Sequence, residues 1–140
     1  MTTTHFRTGH EAGAPERRAF PKGTTIFKEG ERADAGYIVE TGSVQIFKMI
    51  GGRRVLLGTI GPWGMFGELG LIDDSPRMAA AYTTEDTVCM VISKEAVALM
   101  LDAAPAGLGL LVQSMAETIR KAGEDLADSR FQLLEKAKLS

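Results

Sequence analysis

The 140-residue chain has no excess of basic charge: 16 Lys and Arg stand against 18 Asp and Glu, a net charge of −2. Its densest basic pairs, Arg17-Arg18 and Arg53-Arg54, are short and isolated. Dedicated DNA binders usually carry a basic patch, because phosphate contacts supply most of their affinity. DNA binding by this chain is therefore not expected. Cysteine is almost missing as well. Cys89 alone excludes an internal disulfide and points to a reducing, cytoplasmic setting. No stretch approaches the ~20 apolar residues that span a bilayer, and Met1 to Arg18 has no apolar core of signal-peptide length, so no membrane partner is expected. Histidine is confined to His5 and His10. Their five-residue spacing does not share a helical face, and no Cys or acidic cluster joins them, so they read as solvated residues and not as metal ligands. Metal-dependent barrel enzymes need two or three histidines on strands, and none is available there. Asp73-Asp74 reads as a turn pair more readily than as catalytic acids. No enzyme, metal or cofactor is expected.

What is present is the composition of one folded domain, 44% hydrophobic and 24% charged. Gly9, Gly13 and Pro15 mark residues 1–18 as a polar flexible arm, leaving 19–140 as the folded domain. Eleven of the 16 glycines fall between Gly23 and Gly70. Between them lie short β-favouring runs, Thr25–Phe27, Tyr37–Val39, Val44–Phe47 and Val55–Leu57, followed by Ala79–Tyr82 and Thr87–Ile92. This texture predicts an antiparallel sandwich or barrel over about 19–92. Alternation falters at Val44–Phe47. Cys89, inside an apolar strand with no histidine to activate it, reads as a core thiol.

Helices are expected over about 93–138, giving an α+β class. Ser93 is placed as an N-cap with Glu95 in the first turn, and Pro105 is expected to open the second, longer helix. Leu108, Val112, Met115, Ile119, Ala122 and Leu126 follow at spacings of 4, 3, 4, 3 and 4, with Leu133 on the same frame after a break at Ser129. This seam fits either the chain's own sheets or the same helix of a second copy.

The chemistry concentrates in Phe66-Gly67-Glu68-Leu69-Gly70-Leu71-Ile72-Asp73-Asp74-Ser75-Pro76-Arg77-Met78-Ala79. A glycine ends a strand, one helical turn follows, and a Pro-Arg pair begins the next strand. The first N–H groups of such a turn lack internal partners and can receive an anion, and Gly67 lets it approach. Arg77 can return over the same spot with a two-pronged contact to phosphate oxygens. Glu68 suits a ribose hydroxyl better than a phosphate. Spacing alone leaves two readings open, a nucleotide-phosphate cradle or a structural Arg–Glu ion pair.

The segment resembles the phosphate-binding cassette of the cyclic-nucleotide-binding domain family, found in catabolite-activator-type regulators and cyclic-nucleotide-dependent kinases. Phe20-Pro21-Lys22-Gly23, Ile26-Phe27-Lys28-Glu29-Gly30, Tyr37-Ile38-Val39-Glu40-Thr41-Gly42 and Glu85-Asp86-Thr87 support the resemblance over about residues 19–130. It implies a jelly-roll-like antiparallel β-roll of about eight strands, a short cassette helix and C-terminal lid and dimer helices, with cyclic AMP or cyclic GMP bound inside. By the same resemblance Arg77 takes the phosphate oxygens, Glu68 the ribose 2′-hydroxyl, and Gly67, Leu69 and Ala79 offer backbone contacts. Met78 stands where relatives often have a small residue, Ser or Thr, and Ala80 replaces a frequent Thr or Ser. Each lost neutral hydrogen bond costs ~1 kcal/mol, and the missing Thr leans the ligand towards cyclic AMP. Arg120, Lys121, Ala122, Gly123 and Leu126 are the candidate lid and base contacts, although Ala122 and Gly123 carry no hydroxyl. Trp63 departs from the usual Gly at its turn and is expected to pack.

The function these features imply is a non-enzymatic cyclic-nucleotide sensor. Ligand would shift Leu69, Leu71 and Ile72 of the cassette against the following helices. A homodimer through the 105–135 helix and an effector protein on a separate chain are the expected partners, since the sequence ends at Ser140 with no room for a helix-turn-helix. The alternative is a degenerate roll that acts as a scaffold without nucleotide.

Overall fold

The computed structural model describes residues 16–139. Eight strands form two four-stranded antiparallel sheets. One has the order β1 (Glu16–Phe20), β8 (Thr87–Ser93), β3 (Ala35–Thr41), β6 (Met65–Phe66). The other has β2 (Thr25–Phe27), β7 (Ala80–Thr83), β4 (Val44–Ile50), β5 (Arg53–Ile60). Helix α1 (Leu69–Asp73) interrupts the strands, and α2 (Lys94–Asp102) and α3 (Leu108–Leu139) follow them. The fold is thus the β-roll with cassette and C-terminal helices that the sequence implies.

The core between the sheets is built from β-branched and aromatic residues, which fill a pleated, enclosed surface well. Val39, Val44 and Cys89 have no exposure, and Phe27, Tyr37, Phe66 and Val91 join them. Tyr37 and Phe66 stack with centroids 5.2 Å apart, while Phe27 lies 6.2 Å from Tyr37 and 6.0 Å from Phe66. Such aromatic pairs add to what their buried area contributes. Cys89 is a core thiol, as expected. Burial, with a smaller contribution from Glu40, pushes its pKa up to about 11, which removes the thiolate needed of a nucleophile.

Several expectations need correction. Glu16, Arg17 and Arg18 belong to β1 and not to an arm; Arg17 grips Glu40 through two 2.8 Å hydrogen bonds. The rest of the arm, with His5 and His10, lies outside the described residues. Trp63 does not pack. It is 73% exposed in a left-handed conformation, φ 70°, as third residue of a turn closed by Gly64 N–H donating to Gly61 O. The faltering alternation in β4 has two causes. Ile46 faces inward, whereas Phe47 faces outward yet is buried, with the Arg54 guanidinium 4.1 Å from its ring centroid. The register also slips between Ile46 and Phe47.

Ser93 caps α2 as expected, accepting from Ala96 N–H at 3.1 Å. Pro105 does not open α3. Gly107, at φ 96°, cannot be helical, so the helix begins at Leu108 after a turn in which Leu108 N–H donates to Pro105 O. The stripe that α3 lays on the roll is Val112, Ala116, Arg120, Gly123, Ala127 and Phe131. The large-residue seam of Leu108, Met115, Ile119, Leu126 and Leu133 lies about 100° further round the helix and is exposed. Small residues let the helix approach closely, while the seam stays largely exposed, with Met115, Ile119 and Leu133 only bordering hollows against the roll and α1.

Candidate functional site

Between the inward face of the second sheet, the α1 segment and α3 lies a cavity of about 260 Å³. Phe27, Ile46, Ile60, Met65 and Ile119 make its apolar walls. Gly67, Glu68, Leu69, Arg77, Met78 and Ala79, separated by as many as twelve positions in sequence, all border it, and so does Arg120.

Local geometry explains the convergence. After Phe66, Gly67 takes φ 76°, and a Cβ there would lie 3.0 Å from both Arg77 Nη1 and Phe27 Cε2. Only glycine fits that point. Glu68 then caps α1 with its backbone, while its side chain makes no capping bond and has no hydrogen-bond partner among the described residues. Asp74 reverses the chain at φ 59°, and Arg77 is fixed in place by two backbone bonds of 2.8 Å, its N–H to Glu31 O and Gly30 N–H to its own O. Lys48, itself paired with Glu29, donates to Met78 O at 2.9 Å and holds the next residue.

Arg77 is 6% exposed. Its Nη1 donates to Gly67 O and its Nη2 to Ala35 O, both at 2.7 Å, and its carbon lies 4.0 Å from the Phe27 ring centroid. Nε is buried with no partner. The nearest carboxylate, Asp34, stands 3.7 Å away but is 87% exposed, so water screens it. Burial lowers the guanidinium's pKa against the opposing fields of Tyr37, Asp34 and Glu31. The Arg77–Glu68 ion pair that the spacing left open is not formed. A buried, poorly neutralised cation with a spare donor favours an anion beside it.

The candidate lid residues divide. Arg120 borders the cavity and binds Asp73 through both carboxylate oxygens at 3.0 Å. Gly123 makes room for Met78, since a Cβ there would sit 2.5 Å from Met78 Cε. Lys121 instead pairs with Asp125, and Ala122 and Leu126 face away, exposed. Asp73 is the residue that local spacing misses, because its partner lies 47 positions downstream. Its carboxyl is drawn upwards by burial, yet the Arg120 hydrogen bonds, the Ser75 amide and the Arg120 charge outweigh this and hold it below the usual carboxylate range. Behind α1, an apolar groove of about 350 Å³ brings Leu69, Leu71 and Ile72 against Val97 and Met100 of α2 and Val112 and Met115 of α3. Among the described residues no group of three or more His, Cys, Asp or Glu could hold a metal, and no helix is long and apolar enough to cross a membrane.

The family model described as the cyclic nucleotide-binding domain matches residues 17–104. The cyclic AMP receptor protein of Thermus thermophilus is 32% identical over 112 residues, covering 79% of this chain and 52% of the receptor. A cAMP-dependent protein kinase regulatory subunit of Candida albicans is 35% identical over 81 residues, 58% of this chain and 17% of the subunit. The chain spans about half the length of the bacterial relatives it matches. Among solved structures, the cAMP-bound form of the EAL enzyme Bd1971 superposes with a TM-score of 0.74 at 26% identity, covering 89% of this chain and 33% of that one.

Proposed function

The chain belongs to the cyclic nucleotide-binding domain family, and on that premise we propose that it is a non-enzymatic, cytoplasmic sensor of a cyclic purine nucleotide, with cyclic AMP the favoured ligand. The observation that carries this reading is the pairing of Arg77, buried with an unpartnered Nε, and the unbonded Glu68 carboxylate on one cavity. Arg77 takes the cyclic phosphate, and Glu68 accepts from the ribose 2′-hydroxyl. Gly67, Leu69 and Ala79 supply backbone contacts, and Met78 closes the side nearest α3. The missing hydroxyl at Met78 and the cAMP in the relatives' names support the ligand preference.

Binding becomes a signal through α1. An anion drawn to Arg77 competes with Gly67 O and Ala35 O for its donors. Gly67 and Glu68 would move with it, and Leu69, Leu71 and Ile72 would shift against α2 and α3. The shift is driven only as far as the ligand prefers one arrangement over the other. The exposed seam of α3 meets its counterpart in a second copy, and an effector protein reads the position of the helices.

Calorimetric titration with cyclic AMP and cyclic GMP tests the reading, with Arg77→Ala expected to weaken binding at least 100-fold, about the worth of charge-assisted bonds to a phosphate. Absence of heat from either nucleotide at high micromolar concentration would sink it. One observation favours a second reading, a scaffold without ligand: both Arg77 amino groups already serve backbone carbonyls. In that case Arg77→Ala lowers the melting temperature, and no nucleotide raises that of the parent protein.

A further inference from the structure

A separate groove of about 370 Å³ lies between β5 and the distal turns of α3. Val55 and Leu56 line it from the strand and Leu133 and Leu134 from the helix, and each side adds an arginine, Arg54 and Arg130. The helix leucines are uncovered, Leu133 64% and Leu134 38% exposed. We propose that this groove docks a segment of another protein in which carboxylates flank apolar side chains. Such a segment would belong to the effector invoked above, so its link to nucleotide rests on that reading, whereas the contact itself does not.

Charge decides the occupant. Arg17, Arg18, Arg53 and Arg120 each have a carboxylate within 3.3 Å, but Arg54 and Arg130 have no carboxylate partner among the described residues. The Arg54 guanidinium carbon lies 4.1 Å from the Phe47 ring centroid and 5.3 Å from that of Tyr82. Stacking of this kind holds the guanidinium and leaves its N–H edges free to donate. Arg130 spends Nη1 on Leu56 O at 2.8 Å, and its Nε and Nη2 have no partner among the described residues. Guanidinium groups only donate, so an occupant must bring acceptors, and anionic acceptors gain most. From Ser129 to Leu139 the helix carries Arg130, Lys136 and Lys138 against a single carboxylate, Glu135, which Arg53 engages. This end is thus cationic in a chain of net charge −2. The leucines between the arginines reward apolar groups. Leu133 also lies on the exposed seam, which makes a second copy the rival occupant. In a two-fold contact the same patch serves both copies, so a second copy centred here would bring the same cations against Arg54 and Arg130. An acidic, leucine-bearing segment satisfies both features at once. With one wall on the roll and the other on α3, its binding would respond to any displacement of the helix.

Fluorescence polarisation of a labelled peptide, Asp-Glu-Leu-Leu-Glu-Asp, with the full chain tests the proposal. One control, Asn-Gln-Leu-Leu-Gln-Asn, keeps the shape without the charge; another, Asp-Glu-Ser-Ser-Glu-Asp, keeps the charge without the apolar side chains. The unmodified protein should bind the first peptide about tenfold more tightly than either control. Arg54→Met and Arg130→Met should each weaken that binding about fivefold. Arg32→Met, which removes an exposed arginine from the loop between β2 and β3, should leave it unchanged. Equal binding of all the peptides, or of none, overturns the proposal, and that comparison needs no variant to fold. A loss no greater for Arg54→Met and Arg130→Met than for Arg32→Met places the contact elsewhere and overturns it too. So does a dimer in sedimentation that Arg130→Met dissociates while the dilute protein binds no peptide, because the groove then belongs to a second copy. Calorimetry with cyclic AMP and cyclic GMP separates the two readings. If neither nucleotide binds while the peptides are discriminated as expected, the sensor reading fails and the groove stands; if a nucleotide binds and the peptides do not, the groove fails alone.

Discussion

The roll leaves Val39, Val44, Val55 and Cys89 with no exposure, whereas α3, 32 residues long, buries among its described side chains only Ala116 and Ala127. The sheets are fixed by interdigitated apolar side chains and antiparallel ladders. The long helix is held by the Asp73–Arg120 pair, by Gly123 seated against Met78, and by a distal strap in which Arg53 pairs with Glu135 and Arg130 donates to Leu56 O. Interiors packed like the roll resist small displacements. Elements with few buried apolar contacts open at low cost. The cavity lies at the boundary, with Arg77 anchored to the stiff side and Arg120 carried by the soft one. A ligand touching both would couple them.

Breaking the stiff side should have the largest effect. Phe66 is 3% exposed and stacks on Tyr37, so Phe66→Ala should cost about 3–5 kcal/mol in urea unfolding, the usual price of emptying an aromatic site. A loss under 1 kcal/mol would remove the distinction between the two regions.

The boundary predicts a coupling. Alanine at position 123 gains ~1 kcal/mol of helix propensity, but its Cβ would meet Met78 Cε at 2.5 Å. Overpacking of this kind costs about 1–3 kcal/mol, so Gly123→Ala should destabilise slightly or not at all. In a Met78→Ala background the clash is gone and the same change should stabilise. A coupling of about 1–2 kcal/mol between the two substitutions is expected from thermal melts. Additivity would mean that Met78 and α3 are not in register as described.

Acid should loosen the soft side first. The Asp73 carboxyl titrates below its ordinary range. Its contribution is therefore complete above the unfolded carboxyl's pKa, about 4, and is lost as the pH falls through the lower folded value. Amide exchange in α3, corrected for its intrinsic rate, should quicken there before exchange in β3 and β8. Asp73→Asn should remove the pH dependence.

The same contrast governs what the sequence discloses. The strands that form the core carry local patterning, so Tyr37–Val39 or Thr87–Ile92 are visible without the fold. β1 is hidden because Glu16, Arg17, Arg18 and Ala19 are exposed and its place depends on pairing with β8 and on Arg17 finding Glu40, 23 residues away. β6, only two residues long, has no pattern to show. In the cassette, residue types and spacing point to Gly67, Glu68 and Arg77 as one cluster, which the fold brings to one cavity, but not that the Arg77 amino groups rest on Gly67 O and Ala35 O, which are backbone atoms with no side-chain signature. On α3, large apolar residues mark a seam, but their spacing leaves open whether it meets the chain's own sheets or a second copy. Alanine and glycine do the packing, since only they let the helix lie close.

That seam supplies the smallest expected effect on the protomer. Leu126 sits on it at 37% exposed, away from the cavity, and Leu126→Glu also places a carboxylate one helical turn before Arg130. The stability of the isolated protomer should change by no more than about 0.5 kcal/mol. Assembly should respond far more. In a two-fold interface the same patch serves both copies, so each substitution removes two buried leucines and brings two carboxylates together. Each leucine fully buried there is worth about 1.5–3 kcal/mol, so sedimentation equilibrium should show the dimer constant weakened more than 100-fold, with the melting curve of the dilute protein unmoved. If the parent protein sediments as a monomer at all concentrations, α3 does not mediate a homodimer. If Leu126→Glu lowers the dilute melting temperature by many degrees, the seam packs on the chain's own roll, and the division between a stiff and a soft region fails with it.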